Sequence, residues 1–158
     1  TMSNRIAVFN DGKVQQLSSP DKLYEEPVNS FVAEFIGENN TMTGVVKEID
    51  SDTCKVDLDS GGSVEALKVK VNSVGDKTKL SVRPERVVIN ANKNNTENFF
   101  EGEVKELIYL GDHIRARLSV CGSDEFIVKI PNEGSIDLKE SSIINVSWLT
   151  EDIRALDF

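Results

Sequence analysis

The sequence has little cysteine, histidine and aromatic content, and it has no long apolar run. Its 158 residues include two cysteines, one histidine and 6% aromatic residues. Two cysteines far apart and a single histidine are too few for a zinc site or a disulfide scaffold. No segment approaches the ~20 consecutive apolar residues that a membrane-spanning helix requires. These absences favour a reducing, cytoplasmic setting.

Positive charge is also scarce. Lys and Arg total 18 against 27 Asp and Glu, which gives a net charge of -9. Binding to nucleic-acid phosphates depends on Lys and Arg, and binding of single strands also needs aromatic side chains for base stacking. The composition therefore excludes nucleic acid as the expected partner.

Motifs for catalysis are missing as well. No segment matches the phosphate loop G-x-x-x-x-G-K-[ST], and the sequence Gly75–Thr78 predicts a polar turn. His113 is the only candidate base and follows a predicted strand end, while Cys54 and Cys121 are interpreted as small buried hydrophobic residues. We therefore predict no catalytic, cofactor-binding or metal-binding residue in this chain.

The first 37 residues predict a strand hairpin followed by two short helices. Ile6–Phe9 is an apolar strand, Asp11-Gly12 is a tight turn, and Asn29 is a helix N-cap before the apolar stripe of 30–36. Such a segment is too small for a core of its own. It is predicted to be the last piece of a larger α/β domain, packed on the rest of the chain or on a second chain.

The remaining sequence predicts short strands that occur twice. From Thr41 onward, runs of 4–8 residues alternate with Gly, Asn, Asp and Ser. Residues of about 41–90 and 99–158 form the two half-repeats, and Asn90–Asn98 is predicted to be an exposed connector. The matches are Thr43–Ile49 with Glu101–Leu107, Lys55–Leu58 with Arg115–Leu118, Val64–Val69 with Glu125–Ile130, Lys79–Val82 with Ile143–Val146, and Glu85–Ile89 with Glu151–Leu156.

Each half-repeat contains five predicted strands, which suits a small closed barrel because closure removes sheet edges. The fold class is therefore mainly β, with an OB-like barrel built from two repeats. Spacing leaves open whether each copy closes by itself or the two copies lend strands to each other.

Two regions of the sequence resemble ATP-binding cassette (ABC) importer ATPase subunits. Residues 1–39 resemble the stretch that follows the switch histidine in those subunits, and Leu80–Glu85 with Gly102–His113 resemble their C-terminal TOBE (transport-associated OB) domain. The ending Val146–Asp157 is most similar to the spermidine/putrescine branch, although sugar and iron importers share the architecture.

The resemblance implies a division into residues 1–38, a remnant of the nucleotide-binding domain, and residues 39–158, the TOBE domain. It implies that ATP and Mg²⁺ bind in a domain upstream of Thr1, so that this fragment is non-catalytic. The implied partners are a second copy of the subunit and membrane permease subunits. The implied location is the cytoplasmic side of the membrane.

Arg83, Pro84, Glu85 and Gly111 are the candidate interface residues under this resemblance. The alternative interpretation of the Arg83-Pro84-Glu85 corner is structural, with proline fixing the turn and the two charges pairing. A binding alternative is a free-standing module for small oxyanions, held by Gly61–Ser63 and Lys68–Lys70. The acidic surplus instead suits a cation such as a polyamine.

Overall fold

The N-terminal segment is a strand hairpin followed by two helices, as predicted. The computed structural model describes residues 4–90, 98–132 and 138–158. Asp11 and Gly12 form the hairpin turn with left-handed φ angles of 53° and 72°. Asn29 caps the second helix, its Oδ1 accepting a hydrogen bond from the Val32 N–H at 3.0 Å. The elements are β1 (Ile6–Asn10), β2 (Lys13–Ser18), α1 (Pro20–Glu25) and α2 (Ser30–Ile36).

This segment buries only a small apolar cluster. Val8, Leu23 and Val32 are almost fully buried, with Phe31 and Ile36 packed against them. Burying a side chain of this size contributes ~1.5–3 kcal/mol, and three of them do not offset the ordering of more than thirty residues. The segment therefore depends on contacts with the rest of the chain.

Two sets of five strands make up the remainder, as the repeats predict. The first half contains β3 (Asn40–Ile49), β4 (Thr53–Leu58), β5 (Ser63–Lys68), β6 (Lys77–Val82) and β7 (Val88–Ile89). The second half contains β8 (Asn98–Tyr109), β9 (His113–Val120), β10 (Ser123–Pro131), β11 (Ile143–Trp148) and β12 (Ile153–Leu156). A 3-10 turn precedes the last strand of each half, at Pro84–Arg86 and Thr150–Asp152.

The two halves exchange their last strands. The closed barrel has the order β12-β5-β4-β3-β6, so β12 of the second half completes the sheet of the first. The other sheet has the order β10-β9-β8-β11-β7, so β7 of the first half joins the second. The interleaved arrangement that spacing left open is the one adopted.

Equivalent positions in the two halves follow from the strand pairing. Gly44 and Gly102 lie at the same place in β3 and β8, and a Cβ at either would approach a neighbouring atom of β4 or β9 within 2.7 Å. A register shift follows both glycines, between Val46 and Glu48 in β3 and at the matching place in β8. The two halves therefore share both this glycine and the bulge that follows it.

One predicted match between the copies is wrong by one residue. Val64 pairs with Val56, and Phe126 pairs with Leu118, so Val64 corresponds to Phe126 rather than to Glu125. Because side chains alternate across a strand, a shift of one residue exchanges the two faces. Two other predicted matches are displaced by two residues, which leaves each side chain on the predicted face of its strand. They are the matches of Lys55–Leu58 with Arg115–Leu118 and of Lys79–Val82 with Ile143–Val146.

A continuous apolar core runs through both sheets. The Trp148 ring lies at its centre, stacked 5.3 Å from Phe100 and 5.6 Å from Phe126 between ring centroids. Because Trp148 belongs to β11 and Phe126 to β10, these rings connect two strands of the second sheet that are not neighbours.

Two buried asparagines join the halves reciprocally. Asn40, the first residue of β3, receives a hydrogen bond from Ile127 N–H of β10 at 2.8 Å and donates to Ile127 O at 2.7 Å. Asn98, the first residue of β8, exchanges the same two bonds with Glu65 of β5, both at 2.9 Å. Each side-chain amide thus pairs as a strand backbone would. The prediction that Asn98 belongs to an exposed connector is wrong, and residues 91–97 lie outside the described residues.

We expect Asn98→Ala to lower the free energy of unfolding by about 2 kcal/mol, because it leaves the N–H and C=O of Glu65 without partners. Urea denaturation followed by tryptophan fluorescence measures the change. Asn72→Ala, at an exposed asparagine, is the control and should change stability by less than about 0.5 kcal/mol. Equal effects of the two substitutions would contradict the role given to Asn98.

Candidate functional site

The N-terminal segment joins the two sheets mainly through polar contacts, and we call this region the junction. Its apolar cluster is separate from the main core. Interfaces between units that move relative to one another are typically more polar than permanent ones. The junction is formed by Tyr24, Glu38, Arg83, Glu85, Arg115, Lys129 and Arg154.

Arg83 is the central residue of the junction. It follows β6 and is 4% exposed. Its Nε donates to Tyr24 O at 3.1 Å, and its Nη1 donates to the carbonyl oxygens of Ala33, Gly37 and Glu38 at 3.0, 3.2 and 2.8 Å. One side chain of the barrel thereby binds the backbone of both helices.

The charge of Arg83 is compensated by dipoles rather than by a carboxylate. Three of the four carbonyl groups that it binds lie at or just beyond the C-terminal end of α2, where the helix dipole is negative. The guanidinium also lies over the Tyr24 ring, 4.3 Å from its centroid. Burial lowers the pKa of Arg83 from its usual value, and Nη2 has no hydrogen-bond partner among the described residues.

Glu85 connects the same turn to the second half. Its Oε1 accepts a hydrogen bond from the Tyr24 hydroxyl at 2.7 Å and lies 3.7 Å from Lys129 Nζ of β10. Burial and this carboxylate raise the pKa of Tyr24 well above its ordinary range. The hydroxyl therefore stays protonated and acts as a hydrogen-bond donor.

Glu38 connects the end of the helical segment to the second sheet. Its carboxylate lies 2.7 Å from Arg115 Nη2 of β9 and 3.2 Å from Lys129 Nζ. The hydrogen bond from Arg115 lowers the pKa of Glu38, and Lys129 adds to the effect. Because Arg83, which follows β6 of the barrel, binds the Glu38 carbonyl oxygen, the segment between α2 and β3 is held from both sheets.

A second set of contacts lies near the C-terminus. Arg154 Nε of β12 donates to Pro27 O at 3.0 Å, and the Ser30 N–H donates to Asp157 Oδ1 at 2.8 Å. Burial lowers the pKa of Arg154. Because β12 closes the barrel, the start of α2 is fixed to the strand that joins the two halves.

A cleft of about 270 Å³ opens between α1 and the barrel. Its walls mix both signs of charge, with Arg86 lying 2.8 Å from Glu25 and burial raising the pKa of Asp152. The carboxylates on the wall are Glu25, Glu26, Glu151 and Asp152, and the arginines are Arg83, Arg86 and Arg154.

The structure separates the four candidate interface residues. Arg83 and Pro84 are buried, whereas Glu85 and Gly111 are exposed. Arg83 forms no salt bridge with Glu85 within the described ranges, so the pairing expected for this corner is wrong: the guanidinium turns to carbonyl groups and Glu85 turns to Tyr24. Gly111 lies in the β8–β9 turn at a φ of +86°, where glycine is favoured.

The backbone groups proposed for an oxyanion are largely engaged. The N–H groups of Val69 and Lys70 donate to Ala155 O at 3.2 and 3.0 Å, and the Gly61 N–H donates to Leu58 O at 3.0 Å. These bonds belong to barrel closure and to the hairpin turn, so they leave no open nest of donors at these three residues.

The predicted non-catalytic residues have structural surroundings. His113 Nδ1 lies 2.8 Å from Asp112 Oδ1 at the start of β9. Burial raises the pKa of Cys54 to about 11 and that of Cys121 to about 12, values at which a thiol is unreactive. Cys54 is buried as predicted, whereas Cys121 is only partly buried and lies in a turn at a φ of 51°. Over the described ranges, no three His, Cys, Asp or Glu side chains are arranged to hold a metal ion, and no helix has the length and apolarity to cross a bilayer.

Sequence reasoning missed most partners in the junction and both asparagines. Glu38, Arg115, Lys129 and Arg154 are charged residues in a chain with many charges, and no motif distinguishes them. A signal did exist for the asparagines, because each stands four residues before the repeat glycine, at Asn40 and Gly44 and again at Asn98 and Gly102.

Comparison with known proteins gives consistent matches. A family model described as "TOBE domain" matches residues 80–156. The chain is 36% identical over 163 residues to the spermidine/putrescine import ATP-binding protein PotA of Trichodesmium erythraeum, covering 99% of this chain and 43% of that protein. It is 40% identical to the PotA of Nitrosospira multiformis, covering 93% and 42%. The chain thus spans less than half the length of these relatives.

A solved structure has a similar fold. The cytoplasmic molybdate-binding protein ModG, with molybdate bound, superposes with a TM-score of 0.63 over 75% of this chain and 96% of its own. Sequence identity is 16%, so the likeness concerns the fold. It supports the OB-like, mainly β class predicted from the repeats.

We expect Arg83→Met to lower the free energy of unfolding by about 3 kcal/mol, because hydrogen bonds from a charged donor contribute about 1.5–3 kcal/mol and four carbonyl groups lose their partner. Hydrogen exchange should show the largest loss of protection in α1 and α2. Arg86→Lys is the control, since its salt bridge with Glu25 is exposed and should matter by less than about 1 kcal/mol. Unchanged protection of the helices in Arg83→Met would show that Arg83 does not hold them.

Proposed function

Because the chain carries a TOBE domain and is homologous over most of its length to spermidine/putrescine import ATP-binding proteins, we propose that it acts as the C-terminal region of an ABC importer ATPase subunit. In this role residues 1–38 end the nucleotide-binding domain and residues 39–158 form a regulatory and dimerisation domain. The observation that carries the proposal is homology over 99% of the chain to one such subunit.

The geometry of the junction supports a regulatory role. Arg83 and Arg154 hold the helical segment to the barrel by side-chain bonds to backbone carbonyl groups, and Glu38 binds the second sheet. A displacement of either helix changes bonds in both sheets together. Such a junction transmits movement between a nucleotide-binding domain and a rigid β unit.

The outer face of the hairpin supports an attachment to further protein. Phe9, Val14 and Leu17 are 62, 52 and 52% exposed on one face of the β1–β2 sheet. Phe9 pairs with Val14, so these side chains are adjacent. We propose that the nucleotide-binding domain covers this face. Its ATP and Mg²⁺ then lie outside this chain, which we propose is non-catalytic.

The proposed assembly contains two copies of the subunit and membrane permease subunits, on the cytoplasmic side of the membrane. Polyamine import is the proposed transport activity, since the relatives named above are spermidine/putrescine import proteins. The ATPase subunit of a sugar or iron importer is the alternative assignment. In either case Glu85 and Gly111, exposed at the corner and in the β8–β9 turn, are the proposed contact residues of the dimer, with Arg83 and Pro84 supporting them from inside.

A second candidate function is oxyanion binding. A cleft of about 240 Å³ lies between the β4–β5 and β9–β10 turns, and hydroxyl groups of Thr41, Thr43, Ser60 and Ser123 line it. Molybdate binding by ModG, which has the same fold, favours this candidate. Asp59 in the same cleft opposes it, because its carboxylate repels an anion.

A chimera tests the transport proposal. This chain replaces the C-terminal region that it matches in the Trichodesmium erythraeum PotA, and spermidine uptake is measured in cells that depend on that subunit. We expect uptake to be retained. Arg83→Met in the chimera should lower uptake about tenfold, a loss that corresponds to a coupling free energy of ordinary size. Arg86→Lys is the control. We also expect the isolated chain to hydrolyse no ATP; a chimera that assembles but imports no spermidine would contradict the proposal.

Calorimetric titration distinguishes the second candidate. Molybdate, sulfate and spermidine are titrated into the isolated chain, and we expect no saturable binding of either oxyanion because Asp59 faces the hydroxyl groups. Asp59→Asn serves as the matched variant. Saturable molybdate binding that is lost in Ser60→Ala with Ser123→Ala would favour the oxyanion module over the transport subunit.

A further inference from the structure

The two halves differ in how their exchanged strand is paired. In the first barrel, β12 lies beside β5 in a parallel pair, with Ala155 opposite Lys68. The pair continues beyond β5, where the N–H groups of Val69 and Lys70 donate to Ala155 O. Strand β12 therefore has a backbone partner on both sides, and the barrel is closed.

The equivalent strands of the second half do not pair. Ile89 of β7 pairs with Val146, and Ala155 of β12 pairs with Leu80. Because Val146 and Leu80 are equivalent positions of the two halves, Ile89 corresponds to Ala155. Among the described residues, β7 pairs with β11 alone and β10 with β9 alone, so the sheet stays open between β7 and β10. Pro131 of β10 corresponds to Val69, and it lacks the N–H group that Val69 uses for closure.

Backbone groups that have no partner among the described residues face this opening from both sides. The Asn90 N–H bonds to Asn145 O of β11, so the preceding residue, Ile89, directs its N–H and C=O away from β11. On β10, both backbone groups of Ile127 bind the Asn40 side chain across the free edge. Lys129, two residues on, presents its groups to that same edge. The opening thus offers a donor and an acceptor at Ile89 and again at Lys129.

An apolar cavity lies between these two edges. Its volume is about 290 Å³, and its lining includes Val87, Val88, Ile130 and Pro131. Val88 is 54% exposed. Lys129 and Glu85 lie at its rim and also line a neighbouring cleft with Asp112 and His113. The cavity accepts an apolar side chain, and the flanking edges accept an extended backbone.

We infer that the opening between β7 and β10 binds an extended peptide segment of a partner protein by strand addition, with an apolar side chain in the cavity. The first barrel shows what fills such an edge, since a strand lies beside β12 there. A basic rather than acidic segment suits a chain of net charge -9. The inference does not depend on the transport role.

The probe is a labelled peptide, GSVEALKVKV, which copies Gly62–Val71 of this chain and carries apolar and basic residues. Fluorescence anisotropy should show saturable binding to the intact chain, and hydrogen exchange should show new protection of the Ile89 and Lys129 amides. A control peptide with proline at the positions of Leu67 and Val69 should not bind, because alternate backbone donors are missing.

Two variants of the chain provide the decisive comparison. Pro131→Val restores the missing donor, so it should close the sheet and weaken peptide binding at least about tenfold. Val88→Asp places a charge at the cavity and should weaken binding by a similar factor. Val74→Asp, at an exposed valine outside the cavity, should bind like the parent. Thermal unfolding checks that each variant is folded.

The remaining outcomes would overturn the inference. These are no saturable binding, equal binding by Val88→Asp and the parent, or protection that appears in β4 and β12 instead, which indicates exchange of the peptide for β5. Protection of Ile89 that depends on chain concentration without peptide would assign the opening to a second copy of the chain and would equally overturn it.

Discussion

Exchange of the last strands is the constraint on which the rest of the structure depends. The barrel of the first half is closed by β12, which comes from the end of the sequence. Strand β7 of the first half pairs in the second sheet instead. An unpaired sheet edge is unstable and prone to pairing with other chains, so neither half is complete alone. The asparagine pairs at Asn40 and Asn98 strengthen the same exchange, because each covers a strand edge of the opposite half. The two repeats therefore form one cooperative unit.

The exchange also explains where the N-terminal segment is held. Arg83 lies at the point where the chain leaves the first barrel for the second sheet, and Arg154 lies on the strand that makes the reverse crossing. Both arginines bind backbone carbonyl groups of the helical segment. The position equivalent to Arg83 in the second half is Leu149, which is 39% exposed. Among the described residues, only the first copy is preceded by a helical segment, and only that copy has an arginine at this position.

A similar asymmetry separates the two sheets. Pro131 stands where Val69 stands in the first half, and a single missing N–H accompanies an open sheet in place of a closed barrel. Within the described part of the chain, backbone groups of Ile89 and Lys129 have no strand partner on this side, and an apolar cavity lies beside them. Over the described residues, the halves thus share strands and bulges, yet one forms a closed barrel and the other an open sheet.

The sequence by itself determined the elements and the class of the fold. Turn residues, the Asn29 cap, period-two strands and the internal repeat are local signals, and they predicted the hairpin, both helices and five strands in each half. Tertiary structure alone decided the exchange of strands, the equivalence of Val64 with Phe126 rather than with Glu125, and the partners of Arg83. These features depend on which strand edges meet in space. Backbone hydrogen bonds form between groups that nearly every residue has, so the residue types do not specify which strand is the partner. A buried guanidinium likewise binds carbonyl groups that any residue could supply.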